Sequence, residues 1–177
     1  MKAFAFAALV LATPMAAQAA TPQPVDKATD IALRQCVEHG LGTGSIIGQN
    51  GAILDAKGLV YQRDAPPFLS QTQSTPMGRA EYAKSPSTDG EIWDVAYDSG
   101  ACMVVTAGTS VAPIEKVYAD YFAQPTMWRA ERVAPGAKGE RKLQYVHNYT
   151  RVNKLIATVS LRDDEGVSSV TIRRQTR

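Results

Sequence analysis

The run EIWDVAYDSGACMVVTA, from Glu91 to Ala107, decides how the chain is read. Trp93, Val95 and Tyr97 alternate onto one side, and Asp98-Ser99-Gly100 interrupts the pattern. Cys102, Val104 and Thr106 then alternate against Met103 and Val105. Alternation on both sides of a short polar turn predicts a β-hairpin. Next, Val111, Ile114, Val117, Tyr118, Tyr121 and Phe122 recur at helical spacing, opened by Thr109 or Ser110 and closed by Gln124-Pro125. Four more alternating runs follow, 127–133, 141–150, 153–162 and 167–174, separated by turns at 135–139, 151–152 and 163–166. Connections this short join antiparallel neighbours only.

Before the hairpin, Ala28, Ile31, Ala32, Leu33, Cys36 and Val37 mark a helix that Asp26 or Thr29 is placed to cap and Gly40 to end. A weaker helix is predicted over Ser45–Lys57 with Gly58 as terminator, whereas 62–78 and 85–90 are Pro-rich or turn-rich and read as loops. No internal repeat is visible. The expectation is a single α+β domain over 27–177: a curved antiparallel sheet built as hairpin, helix, then four-strand meander, with two to three helices on one face.

Of the 177 residues, the first 19 read as an export signal: Met1-Lys2, an apolar run from Ala3 to Ala12, then Ala17-Gln18-Ala19. Cleavage is expected after Ala19, with Ala20 as the alternative, leaving 158 residues that begin with a flexible leader, 20–26. The apolar run is too short to anchor the chain, and no later stretch has spanning length. A periplasmic or secreted protein of a Gram-negative bacterium is expected. In a eukaryotic source, Asn148-Tyr149-Thr150 would be a glycosylation acceptor. Aromatic content of 7% and charged content of 20% exclude collagen, coiled-coil, disordered and multi-span classes.

Export frames the two cysteines. Cys36 on a helix core face and Cys102 in a core strand are expected to pair as a disulfide. The alternatives are free buried thiols and a zinc site of Cys36, His39, Cys102 and His147, which lacks the paired short spacings of structural zinc sites, so no metal or cofactor is predicted.

Ser110 lies between a predicted strand and a helix, the setting of a nucleophile elbow. Its base would be His147 or His39, with Asp94, Asp98 or Asp120 as orienting carboxylate. Ala112 stands where the elbow's second glycine belongs, and capping the helix is the simpler use of Ser110. Gly42–Gly48 is glycine-rich but follows a helix and lacks a phosphate-loop lysine, so it reads as a turn. Glu91, Asp94 and Asp98 are scattered along a strand rather than paired.

Net charge is +2, but its distribution is uneven. Residues 127–177 hold eleven Lys or Arg against five acids, while 20–126 hold seven against twelve. Arg141, Tyr145, His147 and Tyr149 alternate onto one face and form a candidate binding row for an anionic component. The competing use of these rings is core, with the basic side chains solvating the other face. The expected function is a non-catalytic binding, accessory or inhibitor-type module of the cell envelope, its partner an envelope protein or anionic envelope component rather than nucleic acid. A small serine hydrolase using Ser110 and His147 is the alternative.

Overall fold

The computed structural model describes residues 21–48, 54, 56–69, 77–124 and 127–176. The expected signal segment and residues 49–53 and 55 of the expected second helix lie outside the described residues, while Leu54 and Ala56 are helical. Ser45 to Gly48, the start of that helix as predicted, are bend and turn. Leu59 N–H reaches back to the Leu54 carbonyl at 2.9 Å around Gly58.

Helix α1 is Val25–Leu41, and its apolar stripe of Ala28, Ala32, Leu33, Cys36 and Val37 is buried. Neither expected cap is used. Pro24 occupies the N-cap position, and the Thr29 hydroxyl instead donates to the Val25 carbonyl at 2.7 Å. The helix ends at Gly42 (φ +79°), not Gly40. Gly40 has a different use: a Cβ there would sit 3.0 Å from Ile172 Cγ2, so the missing side chain lets the helix lie against the sheet. Leader residue Gln23 forms a parallel bridge with Ser87.

The strands are β1 (Val60–Gln62), β2 (Ala80–Ser85), β3 (Glu91–Tyr97) and β4 (Cys102–Ala107). They continue as β5 (Arg129–Glu131), β6 (Glu140–Asn148), β7 (Asn153–Arg162) and β8 (Val167–Thr176). Helix α2, Val111–Phe122, lies between β4 and β5. All eight strands form one antiparallel sheet in the order β1-β2-β3-β4-β8-β7-β6-β5. The hairpin, helix α2 and the final meander stand as read. The additions are β1 and β2, which extend the hairpin to a four-strand unit.

The architecture therefore repeats itself: a helix followed by four antiparallel strands, twice, with the last strand of each unit meeting its counterpart at the sheet centre. Val104 of β4 lies opposite Val170 of β8. No sequence repeat announces this, because the shared property is strand order and not residue identity.

Both helices pack on one face. Val111, Ile114, Tyr118 and Phe122 of α2 and the buried stripe of α1 enclose Ile92, Cys102, Val104, Ala157, Val159, Val170 and Ile172. On the opposite face a smaller cluster of Val95, Tyr97, Met103, Val105 and Val167 is packed by Phe68, Leu69 and Met77 from the segment between β1 and β2. That covering belongs to the first unit's half of the sheet.

Cys36 is bonded to Cys102, with Cα atoms 5.3 Å apart and 66 residues between them in sequence, tying α1 to the central strand β4. Reduction is expected to lower stability by up to about 4 kcal/mol, read as the shift in denaturation midpoint with and without dithiothreitol. Intact mass should lie two hydrogens below the reduced formula.

Candidate functional site

The candidate binding row occupies the helix face of β6, and there its members are largely in use. Tyr145 stacks on Phe122 of α2, ring centroids 4.5 Å apart and planes 13° apart. Ring centroids of His147 and Trp128 are 5.4 Å apart, and His147 Nδ1 donates to the Met127 carbonyl at 2.6 Å. Tyr149 packs at the margin of the core, its ring centroid 6.1 Å from that of His147. Arg141 is held by Glu115 of α2 at 2.6 Å and by Asp163 at 3.0 Å. These contacts dock α2 on the second unit.

Ser110 takes the N-cap position of α2 but its side chain makes no capping hydrogen bond. It lies at the sheet end where Ala107 pairs with Val167 and Val167 with Arg162. His147 pairs with Leu155, seven residues along β7 from Arg162, which is about 23 Å at the rise of an extended strand. The fold thus holds Ser110 and His147 apart. The four-ligand zinc set is likewise not assembled, because His147 is at β6 while both ring nitrogens of His39 are engaged elsewhere, by Ser45 and Tyr97.

Asp94 has an unusual position for a carboxyl. It faces the helices between Ala83 and Val104, 1% exposed, with Oδ1 2.9 Å from Cys102 Sγ. A disulfide sulfur carries no hydrogen, so the contact is made by a protonated carboxyl donating to Sγ. Burial pushes the Asp94 pKa well above the ordinary carboxylate range, and the charge of Lys57 offsets this only in part. Donor atoms of Cys36, Asp94 and Cys102 all lie within 4.8 Å of one another, yet while the sulfurs are joined neither offers a metal-binding thiolate.

The face of β5–β8 away from the helices is of a different kind. Neither α1 nor α2 covers it, and strand alternation directs Arg129, Lys142, Lys154, Arg162 and Arg173 onto it among Gln144, Thr158, Ser160 and Thr171, around the buried pair Val146 and Ile156. These are five of the seven cations in the four strands. The two on the helix side are both engaged, Arg141 by its two carboxylates and Arg174 by the Gly40 carbonyl at 2.9 Å. On the open face Arg129 pairs with Glu131, Lys142 with Glu140 and Arg162 with Glu165. Glu140 is partly desolvated, which raises its pKa, but hydrogen bonds from Ser160, the Ala137 N–H and Lys142 outweigh this and hold it below the usual value. Among the described residues Lys154 and Arg173 make no ion pair. They sit diagonally across β7 and β8, about 7–8 Å apart in the backbone. The sequence signal for this surface is clear only in β7, where both cations, Lys154 and Arg162, fall on one side; β6 and β8 each carry adjacent cations, Arg141-Lys142 and Arg173-Arg174, one to each side.

A concavity of about 530 Å³ opens at the C-terminal end of α1, between His39, the Gly42–Ile47 loop, the β3–β4 turn and Arg174. His39 Nδ1 lies 2.8 Å from Ser45 Oγ and His39 Nε2 lies 2.9 Å from the Tyr97 carbonyl. From the sequence His39 is a possible base for Ser110 or a zinc ligand, and Ser45 belongs to a turn at the start of a weak helix. Their approach depends on Gly42 reversing the chain, which spacing alone does not reveal.

The protonation of Asp94 has a consequence with a definite sign. In the folded protein Asp94 keeps its proton at pH values where the unfolded chain, with an ordinary value near 3.8, has released it. The native state then binds more protons, so stability falls as pH rises above that value. Asp94→Asn is expected to remove this component, and the wild-type-minus-variant difference should fall by up to about 1.4 kcal/mol per pH unit through the window. Denaturant midpoints across a pH series measure it.

No protein-family model, curated protein or solved structure matches this chain.

Proposed function

We propose that this chain is an exported binding module of the cell envelope, and that the helix-free face of β5–β8 holds an anionic glycan. The observation that carries the reading is the division of cations. Five of seven point to the open side, and the two on the other side are consumed by packing contacts. Hydroxyl and amide side chains between them, Thr158, Ser160, Thr171 and Gln144, both donate and accept hydrogen bonds, as a polyhydroxylated ligand requires. Strand positions also hold such groups at fixed spacing, which favours an extended polymer over a compact ligand. The disulfide is compatible with an oxidising compartment outside the cytoplasm, and no helix among the described residues is long and apolar enough to cross a membrane.

The helix-face row Arg141, Tyr145, His147 and Tyr149 supplies the internal comparison, because its chemistry is similar and its side chains are occupied. On heparin, and on immobilised lipopolysaccharide, wild-type protein is expected to elute at higher salt than Lys154→Glu/Arg173→Glu. The difference should shrink above about 0.15 M as screening sets in. Arg141→Ala/Tyr145→Ala should lose stability but elute with wild type. Equal elution of wild type and the charge-reversed variant overturns the reading.

A further inference from the structure

We propose that Ser45 and His39 form a nucleophile–base pair for hydrolysis of a small carboxylic ester in the cleft at the C-terminal end of α1. This goes beyond glycan binding and uses a different surface. The hydrogen bonds dictate the tautomer. The Tyr97 carbonyl can only accept, so His39 Nε2 carries the proton and donates to it at 2.9 Å. In the neutral ring Nδ1 then bears the lone pair, and the Ser45 hydroxyl 2.8 Å away donates to it. The serine proton is thus already directed at a base whose far nitrogen is anchored, which is the arrangement that activates serine nucleophiles, here with a backbone carbonyl as the anchoring acceptor.

Three features hold the pair in place. His39 is 8% exposed on a packed helix, and the Tyr97 carbonyl also accepts the Gly100 N–H at 2.9 Å. The Ile47 N–H donates to Ser45 Oγ at 3.0 Å, fixing the hydroxyl while leaving its second lone pair free. The cleft is about 530 Å³, enough for a small acyl ester, and carries one cation and one anion, Arg174 and Asp98, which favours a neutral substrate. In the reaction Ser45 Oγ bonds to the ester carbonyl carbon as its proton passes to His39 Nδ1. The ester C–O bond breaks and the alcohol departs with that proton. Water, deprotonated by His39, then releases the acid and restores the Ser45 hydroxyl.

The oxidised mature protein is expected to react with a fluorophosphonate probe at Ser45, identified by peptide mass, and to hydrolyse p-nitrophenyl acetate with an initial burst. Ser45→Ala should abolish both while keeping the wild-type circular dichroism and denaturation midpoint. Folded His39→Ala should slow labelling by about 10²-fold or more. Where His39→Ala does not fold, Ser45→Cys gives the readout: an imidazole partner yields ultraviolet thiolate absorbance at neutral pH, and an ordinary thiol titration overturns the pairing. No label on Ser45, label on another serine such as Ser110, or Ser45 labelling unaffected in folded His39→Ala each overturn the proposal.

Discussion

The pairing of β4 with β8 is the constraint on which the rest depends. Six residues of each strand are in register, Cys102 opposite Ile172 through Ala107 opposite Val167, and among the described residues no other strand pairing joins the two helix-plus-four-strand units. Each unit alone would leave one side of its last strand unpaired, with the backbone donors and acceptors that such an edge presents. Joining the two buries both of those strands in the centre and leaves three-residue strands, β1 and β5, at the margins. Short margins offer little template for a further strand. The joining also explains α2, since the chain leaving β4 must cross to the far margin so that β6, β7 and β8 can return toward it.

The core follows from that geometry. Because β4 and β8 are central, their helix-side residues meet the core: Val104, Val170 and Ile172 are fully buried there, and the buried hydroxyls of Thr106 and Ser168 satisfy each other across the strand pair. The disulfide adds a covalent tie at the same place, anchoring α1 to β4, the strand of its own unit that meets β8. Among the described residues of this layer Asp94 is the buried carboxyl. Its protonated carboxyl is accommodated by the sulfur beside it, at the expense of stability once the pH favours ionisation in the unfolded chain.

How much of this was legible depends on how strongly each segment declares its period. The hairpin, α2, β6, β7 and β8 alternate or recur clearly, because one side of each meets a core. β2, Ala-Glu-Tyr-Ala-Lys-Ser, alternates only weakly because Ala83 is its sole buried apolar residue, and β1 is three residues long. Such strands are held by their neighbours rather than by their own pattern. Gly40 and Gly42 were confused for a related reason: both suit a helix end, and only the approach of Ile172 shows that the first is needed for packing. Of the sites, the disulfide was readable from compartment and cysteine count. The meeting of His39 with Ser45 and the burial of Asp94 were not, since both depend on where the chain reverses and on what lies across the sheet.

The uneven charge acquires a direction in the fold. Along the sequence it divides an acidic front from a basic rear, but in space the division runs across the sheet. The two helices hold five acids against three Lys or Arg, whereas the open face of β5–β8 holds five cations against two acids. Were the cations present only for solubility, nothing would require the helix side to exclude them, since Arg141 and Arg174 show that a cation there finds partners in Glu115, Asp163 and the Gly40 carbonyl. An approaching polyanion meets the opposite signs on the two sides of the molecule, repelled by one and attracted by the other. That polarity orients the encounter before any contact forms, and it brings the polymer to the side where Lys154 and Arg173 have no carboxylate to displace.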